Sequence, residues 1–214
     1  MKEPSKNIIL IGGGGHCKSC IDVIEQQGVY NILGILDKSK VKGEKIFGYM
    51  VLGGDEDIHL YENKNCYFLI TIGQIKSSSL RKKIYDFLVI KKLKLATVIS
   101  PFAYVSSRSI VGEGSIVMHG VIINAGATIG SNCIINTGCI LEHDVKVGES
   151  THISTKAIVN GDCIVGNEVF IGSNSVISNQ ITIGDKIVIG AGTVVNKIIS
   201  EQGIYVGNPV RKIR

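Results

Sequence analysis

From Ile99 to Val195 the chain places an aliphatic residue at every sixth position, seventeen times without a break. An α-helix repeats near 3.6 residues and a flat strand near 2. A period of six instead predicts a β-solenoid, in which very short strands alternate with regular corners. Four positions after the aliphatic stands a second small or apolar residue, such as Ala103, Ala127, Cys133, Cys139, Cys163 or Thr193, so both positions point into a narrow interior. Glycine directly follows the aliphatic at Gly112, Gly130, Gly148, Gly166, Gly172, Gly184 and Gly190. Its tolerance of positive φ and of close backbone approach suits a tight corner. Three hexads per coil predict about five or six coils.

The residues before this repeat follow another pattern. A β-rich apolar run at 7–11 leads into Gly12, Gly13, Gly14, Gly15 and His16, and then into a helical stretch carrying Ile21, Val23 and Ile24. A second strand at 32–36 ends at Asp37 and a third at 67–72 ends at Gly73 and Gln74. A helix at 78–92 follows, and a last strand at 95–99 feeds the solenoid. Strand, glycine loop and helix open a Rossmann-like unit. The reading is therefore two domains: α/β, Rossmann-like over 1–97, and an all-β parallel β-helix over 98–214. The glycine loop offers backbone N–H groups and a helix N-terminus to phosphate oxygens. The dinucleotide fingerprint is incomplete, because Cys17 stands where the third glycine of G-x-G-x-x-G belongs. The three strand ends should meet at one sheet edge, the usual ligand crevice of open α/β sheets.

Composition narrows the partners. The net charge of +5 is modest and its densest group, Arg81, Lys82, Lys83, Lys91, Lys92 and Lys94, reads as the solvated face of the helix, so nucleic acid is not expected. No apolar stretch is long enough to span a membrane and Met1–Ser5 lacks a signal pattern, which predicts a cytoplasmic protein without membrane insertion. The six cysteines read as small, reduced core residues, including the C-x-x-C pair Cys17 and Cys20.

Inside the solenoid, ionisable residues are informative. His143 stands between Glu142 and Asp144, and His152 follows nine residues later. Histidine takes a proton near neutral pH, and a carboxylate on its other ring nitrogen fixes the tautomer and stabilises the imidazolium. This is a base with its orienter and without a protein nucleophile. His119, His143 and His152 offer no familiar close ligand pair, so no metal is expected. His59, in a charged segment, reads as a solvated loop residue.

These residues together resemble the NeuD/PglD-type bacterial sugar acetyltransferases. The likeness rests on GGGGH (12–16), Asp37, IGQ (72–74), LRKKI (80–84), NTGCILEHDVKVGESTHIS (136–154) and GIYVGNPVRKI (203–213). It implies a left-handed β-helix, a homotrimer and acetyl-CoA bound in a groove between adjacent β-helices. It further implies His143 as general base with Asp144 as its partner, Asn136 near the acceptor and His152 near the thioester. Gly161 would offer an N–H to the carbonyl, and Gly172, Gly190, Ala191 and Gly192 would line the coenzyme groove. Gly12, Gly13, Gly14, Gly15, His16, Asp37, Gly73 and Gln74 would form the nucleotide-sugar pocket. The implied reaction is acetyl transfer to the 4-amino group of a nucleotide-linked, UDP-type 4-amino-4,6-dideoxy sugar. Two alternatives stand beside it: O-acetylation of sialic acid, and a non-catalytic trimeric scaffold that binds nucleotide sugars.

Overall fold

A computed structural model of the chain describes residues 6–62, 65–75 and 77–214. The N-terminal part contains β1 (Lys6–Ile11), α1 (Gly15–Gln27), β2 (Tyr30–Leu36), a hairpin of β3 (Lys45–Ile46) and β4 (Tyr49–Gly53), β5 (Cys66–Ile70), α2 (Ser79–Ile90) and β6 (Lys94–Leu95). Ile8, Ile9, Leu10 and Ile11 are all fully buried, as a central parallel strand covered on both faces requires. The sheet order is β3-β4-β2-β1-β5-β6. From β1 the chain builds first to one side, through β2, and then to the other, through β5, which creates a switch point between β1 and β5. Helix α1 buries Cys17, Cys20, Ile21 and Ile24, spaced as one helical stripe. It stops at Gly28, whose left-handed φ of 67° lets its N–H bond the Ile24 carbonyl at 3.0 Å.

Two sequence expectations change here. The strand expected over 95–99 is two strands: β6 pairs with β5, while β7 (Val98–Ile99) pairs with Ile116–Val117 and opens the solenoid. The basic helix face is also not uniform. Arg81 is only 2% exposed, whereas Lys83, Lys91, Lys92 and Lys94 are in solvent, and α2 ends before the last three of these.

The solenoid is a left-handed parallel β-helix with three faces. Each strand pairs with the strand eighteen residues later, as Ile134–Ile135 does with His152–Ile153. The first face starts at β7, the second at Tyr104–Val105 and the third at Ile110–Val111. Five complete coils precede an irregular last turn, where Ile187–Ile189 pairs with Gly203–Val206 after a shorter interval. The frame aliphatics from Val117 to Val195 point inward and are nearly all buried, as are Cys133, Cys139 and Cys163.

The corners correct the expected role of glycine. Gly112, Gly130, Gly148, Gly166 and Gly172 do not take positive φ. They are glycine because a Cβ there would collide with the backbone of the next coil. Positive φ instead falls three residues after each aliphatic, at 114, 120, 126 and every sixth position to 192. Glycine fills this position only at Gly114, Gly120, Gly126, Gly138 and Gly192; elsewhere Asn132, Asp144, Ser150, Lys156, Asp162, Glu168, Asn174, Gln180 and Lys186 bend the chain. Asn and Asp accept this conformation more readily than most residues.

The N-terminal domain lies on the first face. Val98, Ile116, Ile134 and His152 point outward there, yet all are buried. Polar contacts fix the seat: His119 lies 3.0 Å from Asp22 and 2.6 Å from the Ser100 hydroxyl, Gln74 Nε2 donates to the Val169 carbonyl at 3.3 Å, Ser78 donates to Glu168 at 2.6 Å, and Arg81 donates to the Asn132 carbonyl.

Candidate active site

A cavity of about 790 Å³ opens where the two domains meet. On the N-terminal side it is lined by Gly12, Gly14, Gly15, His16, Asp37, Gly73 and Gln74; on the solenoid side by Asn136, His152, Ser154, Phe170 and Ser173. The switch point between β1 and β5 brings the loop after β1 and residues 72–74 after β5 to the same edge. The start of α1 has no side-chain cap and no acidic residue in its first turn. Side chains added at Gly14 or Gly15 would meet nothing within 4 Å, so nothing crowds the start of this helix, an end that carries N–H groups without intrahelical partners.

Gly13 does not line the cavity. Its N–H donates to Asp37 Oδ2 at 2.6 Å, while Asp37 Oδ1 accepts from the Ser39 N–H and hydroxyl at 2.8 and 2.6 Å. Burial alone would push the Asp37 carboxyl up, but these bonds outweigh it and hold it below the usual range. Asp37 thus pins the glycine loop to the end of β2 as well as forming cavity wall.

At the solenoid end, His152 is 6% exposed. Its Nδ1 donates to the Gln74 carbonyl at 2.7 Å and its Nε2 accepts from Asn136 Nδ2 at 3.1 Å. The tautomer follows from these partners. Burial, with smaller contributions from His16 and Arg81, holds His152 down at about 3, and burial with Arg81 holds His16 at about 4. Both rings are neutral at physiological pH. Two buried polar atoms behind this wall, His16 Nε2 and Gln74 Oε1, have no partner among the described residues, and buried polar atoms are ordinarily satisfied.

His143 lies elsewhere, on the corner between the second and third faces. Its Nδ1 is 3.0 Å from Asp144 Oδ2, and the left-handed backbone of Asp144, φ 60°, turns that carboxylate back toward the ring. A Cβ at Gly126, one coil below Asp144, would displace the Asp144 carboxylate, and one at Gly161, one coil above His143, would displace the imidazole at Nε2. Among the described residues nothing else bonds this imidazole, and the side chain is 57% exposed. The hydrogen bond to Asp144, with Asp162 and Glu142 nearby, raises its proton affinity above the ordinary histidine value. The third carboxylate of the region, Glu142, accepts from Asn124 at 2.8 Å. His119, His143 and His152 sit at three separate places. His143, Asp144 and Asp162 instead bring ligand-type atoms within 4.8 Å of one another, all exposed.

The remaining glycines lie on the corner between the first and second faces, in one column with Asn136 and Ser154. Gly172 packs under Gly190 and Ala191 of the next coil, and Ala191 and Gly192 are exposed. Reading the frame in steps of eighteen rather than six finds this column, Asn136, Ser154, Gly172, Gly190, and also sets Gly161 directly above His143. Ser154 and Ser173 were not singled out from the sequence for want of that longer step. His59 is exposed, on a 3₁₀ segment (Asp55–Tyr61).

Residues 7–88 match the PglD N-terminal domain, residues 144–179 the bacterial transferase hexapeptide (six repeats), and residues 163–197 the hexapeptide repeat of succinyl-transferase. The chain thus joins a PglD-type N-terminal domain to bacterial-transferase hexapeptide repeats. The chain is 32% identical over 116 residues to the UDP-N-acetylbacillosamine N-acetyltransferase of Bacillus subtilis (strain 168), an alignment spanning 53% of the chain and 51% of that protein. It spans about half or less of the curated relatives it matches. Solved structures match it end to end. The acetyltransferase domain of PglB from Neisseria gonorrhoeae FA1090, in complex with acetyl coenzyme A, superposes with a TM-score of 0.91 at 27% identity, covering 97% of this chain and 99% of that one. PerB from Caulobacter crescentus, in complex with CoA and GDP-perosamine, gives 0.89 at 28%, covering both chains fully.

Proposed function

We propose that this protein transfers an acetyl group from acetyl-CoA to the 4-amino group of a nucleotide-linked 4-amino-4,6-dideoxy sugar, UDP-linked in the first instance, with His143 as general base. The observation that carries the reading is the single cavity running from the glycine loop of one domain to Asn136 and His152 of the other. It suits a ligand that is a nucleoside diphosphate at one end and a reacting sugar at the other. The relatives solved with CoA and with GDP-perosamine support the same pairing of ligands.

The proposed homotrimer accounts for the distance between His143 and that cavity. The second face carries an outward column of Tyr104, Ile122, Ile140, Ile158, Val176 and Val194, with Tyr104 61% and Ile122 37% exposed. Its two edges are the corner bearing Asn136 and the corner bearing His143. Packing this face against a second copy would set the His143 of one subunit beside the cavity of its neighbour. Ile122→Glu should then give a monomer by light scattering, with activity lost; a trimer that survives the charge overturns this packing.

When bound, acetyl-CoA supplies an activated acyl carbon. The corner of Ser154, Gly172 and Gly190 fits a long thioester, since its residues are small and the exposed Ala191 and Gly192 leave it unobstructed. His143 Nε2 takes the proton of the acceptor amine as the new C–N bond forms and the C–S bond breaks, and the imidazolium returns that proton to the departing thiolate. Asp144 steadies the charged ring, and the Gly161 N–H is the proposed donor to the carbonyl oxygen. The reaction is placed in the cytoplasm, in keeping with six free, buried cysteines; no helix among the described residues is long and apolar enough to cross a membrane.

The test is thiol release from acetyl-CoA with UDP-, dTDP- and GDP-linked 4-amino sugars beside sialic acid. Turnover on one nucleotide amino sugar that is lost in His143→Ala supports the reading. Turnover on sialic acid alone moves it to O-acetylation, and coenzyme binding without turnover on any acceptor moves it to a scaffold.

A further inference from the structure

Arg81 is the most anomalous charge in the molecule. Its guanidinium is 2% exposed, donates to the Asn132 carbonyl, leaves Nε without any partner, and takes part in no ion pair among the described residues. A buried cation without a counter-charge is costly, and such groups are ordinarily paired. The groups that face it are Cys20 from α1, Cys133 from the solenoid, and the His16 and His152 rings. None of these can be the missing anion. Burial pushes both thiols up, Cys133 to about 11, and both imidazoles are neutral. The two histidines line the cavity, and the uncapped start of α1 opens onto it.

We infer that the counter-charge of Arg81 is supplied by the ligand: the buried guanidinium, acting through the cavity wall beside His16 and the α1 N-terminus, is a positioning residue for the diphosphate of the nucleotide sugar. The inference rests on the nucleotide-sugar reading above. Screening is weak at such depth, so a charge that never touches the ligand still contributes to its binding. His16 lines the same wall; Arg81 supplies field and no hydrogen bond.

The experiment compares wild type, Arg81→Gln and Arg81→Lys by calorimetry with UDP, GDP and dTDP and with the corresponding nucleosides. Arg81→Gln keeps a donor for the Asn132 carbonyl without the charge, and Arg81→Met is a second neutral variant should that one not fold. For the diphosphate that wild type binds, the neutral variant should lose about tenfold or more in affinity. The matching nucleoside should change less than about twofold, with Arg81→Lys close to wild type. The His16 resonance should also titrate higher in the neutral variant than the value of about 4 in wild type. Equal losses for diphosphate and nucleoside, or no loss, overturn the role of Arg81 while leaving the nucleotide reading intact. A wild-type protein that binds none of the diphosphates overturns both.

Discussion

His143 and His152 stand nine residues apart on one repeating frame, and their surroundings drive them in opposite directions. The ring of His143 is exposed, bonded to Asp144, and flanked by Asp162 and Glu142, so its proton affinity rises. That of His152 is sealed under the N-terminal domain, between the Gln74 carbonyl and Asn136, so its affinity falls to about 3. The first can accept a proton and keep it briefly; the second stays neutral and offers only fixed hydrogen bonds. Environments that push two titratable groups apart are the physical mark of divided roles. In this fold the division comes from position: His143 stands on an open corner, His152 on a strand of the covered first face.

The strongest way to break that comparison is to remove each ring in turn. His143→Ala should lower kcat by about 10²–10⁴-fold while the KM for acetyl-CoA moves little, as expected of a lost general base. Near-wild-type turnover would remove His143 from that role. Next in size is Gly161→Ala, in which the new methyl displaces Nε2 of His143; misplacing a base by about 1 Å costs on the order of 10²-fold in kcat. Its thermal midpoint should stay near wild type, and a variant that unfolds instead would mean Gly161 is needed for the coil rather than for the ring.

Asp144→Gly makes a finer cut. Glycine is at ease in the left-handed corner, so the fold is kept while the carboxylate goes. We expect kcat to fall about tenfold or more. With His143 as the proposed base, the acidic limb of kcat/KM in wild type should lie above the ordinary histidine range, because Asp144 favours the protonated ring; it should move down in the variant. A limb that stays put would assign the raised affinity to Asp162 or Glu142 instead.

The smallest effect separates the other ring. His16 and His152 bind protons near pH 6.5 when unfolded but only near 4 and 3 when folded. Between those limits the unfolded chain holds more protons. Stability is therefore complete above about pH 6.5 and falls with acidification, by up to about 1.4 kcal/mol per pH unit for each ring. His152→Gln should flatten that slope in denaturant titrations between pH 4 and 6.5, whereas His143→Gln should not. Equal slopes in wild type and His152→Gln would show the ring to be solvated in the native state.

The legibility of these features in the sequence was uneven for physical reasons. The hexad frame, the strand–glycine loop–helix opening and the meeting of Gly12, Asp37 and Gln74 at one edge follow from local periodicity, and the fold bears them out. The hairpin β3–β4 was not foreseen, because residues 37–65 are rich in lysine, glycine and charge and show no period. Arg81 was hidden among lysines on a helix whose other basic residues do face solvent; only the seat of α2 on the solenoid buries it. His143 and Asn136 read as neighbours in sequence, yet the prism puts them on opposite edges of one face. Glycine's two duties, close approach and positive φ, merged in the sequence because both fall within the same hexad.

The eighteen-residue coil also makes position in this protein a matter of phase. Each coil advances the chain by one strand spacing, roughly 4.8 Å, and returns it to the same heading. Removing the eighteen residues 112–129 would shorten the prism by one step and leave every later side chain on its own edge. Removing six would leave the frame equally hydrophobic and the coil equally closed, yet turn everything downstream by a third of a revolution. His143 would then emerge on a different edge of the column. For this architecture the unit of tolerated change is the whole turn, and evolution or design can lengthen the molecule only in that currency.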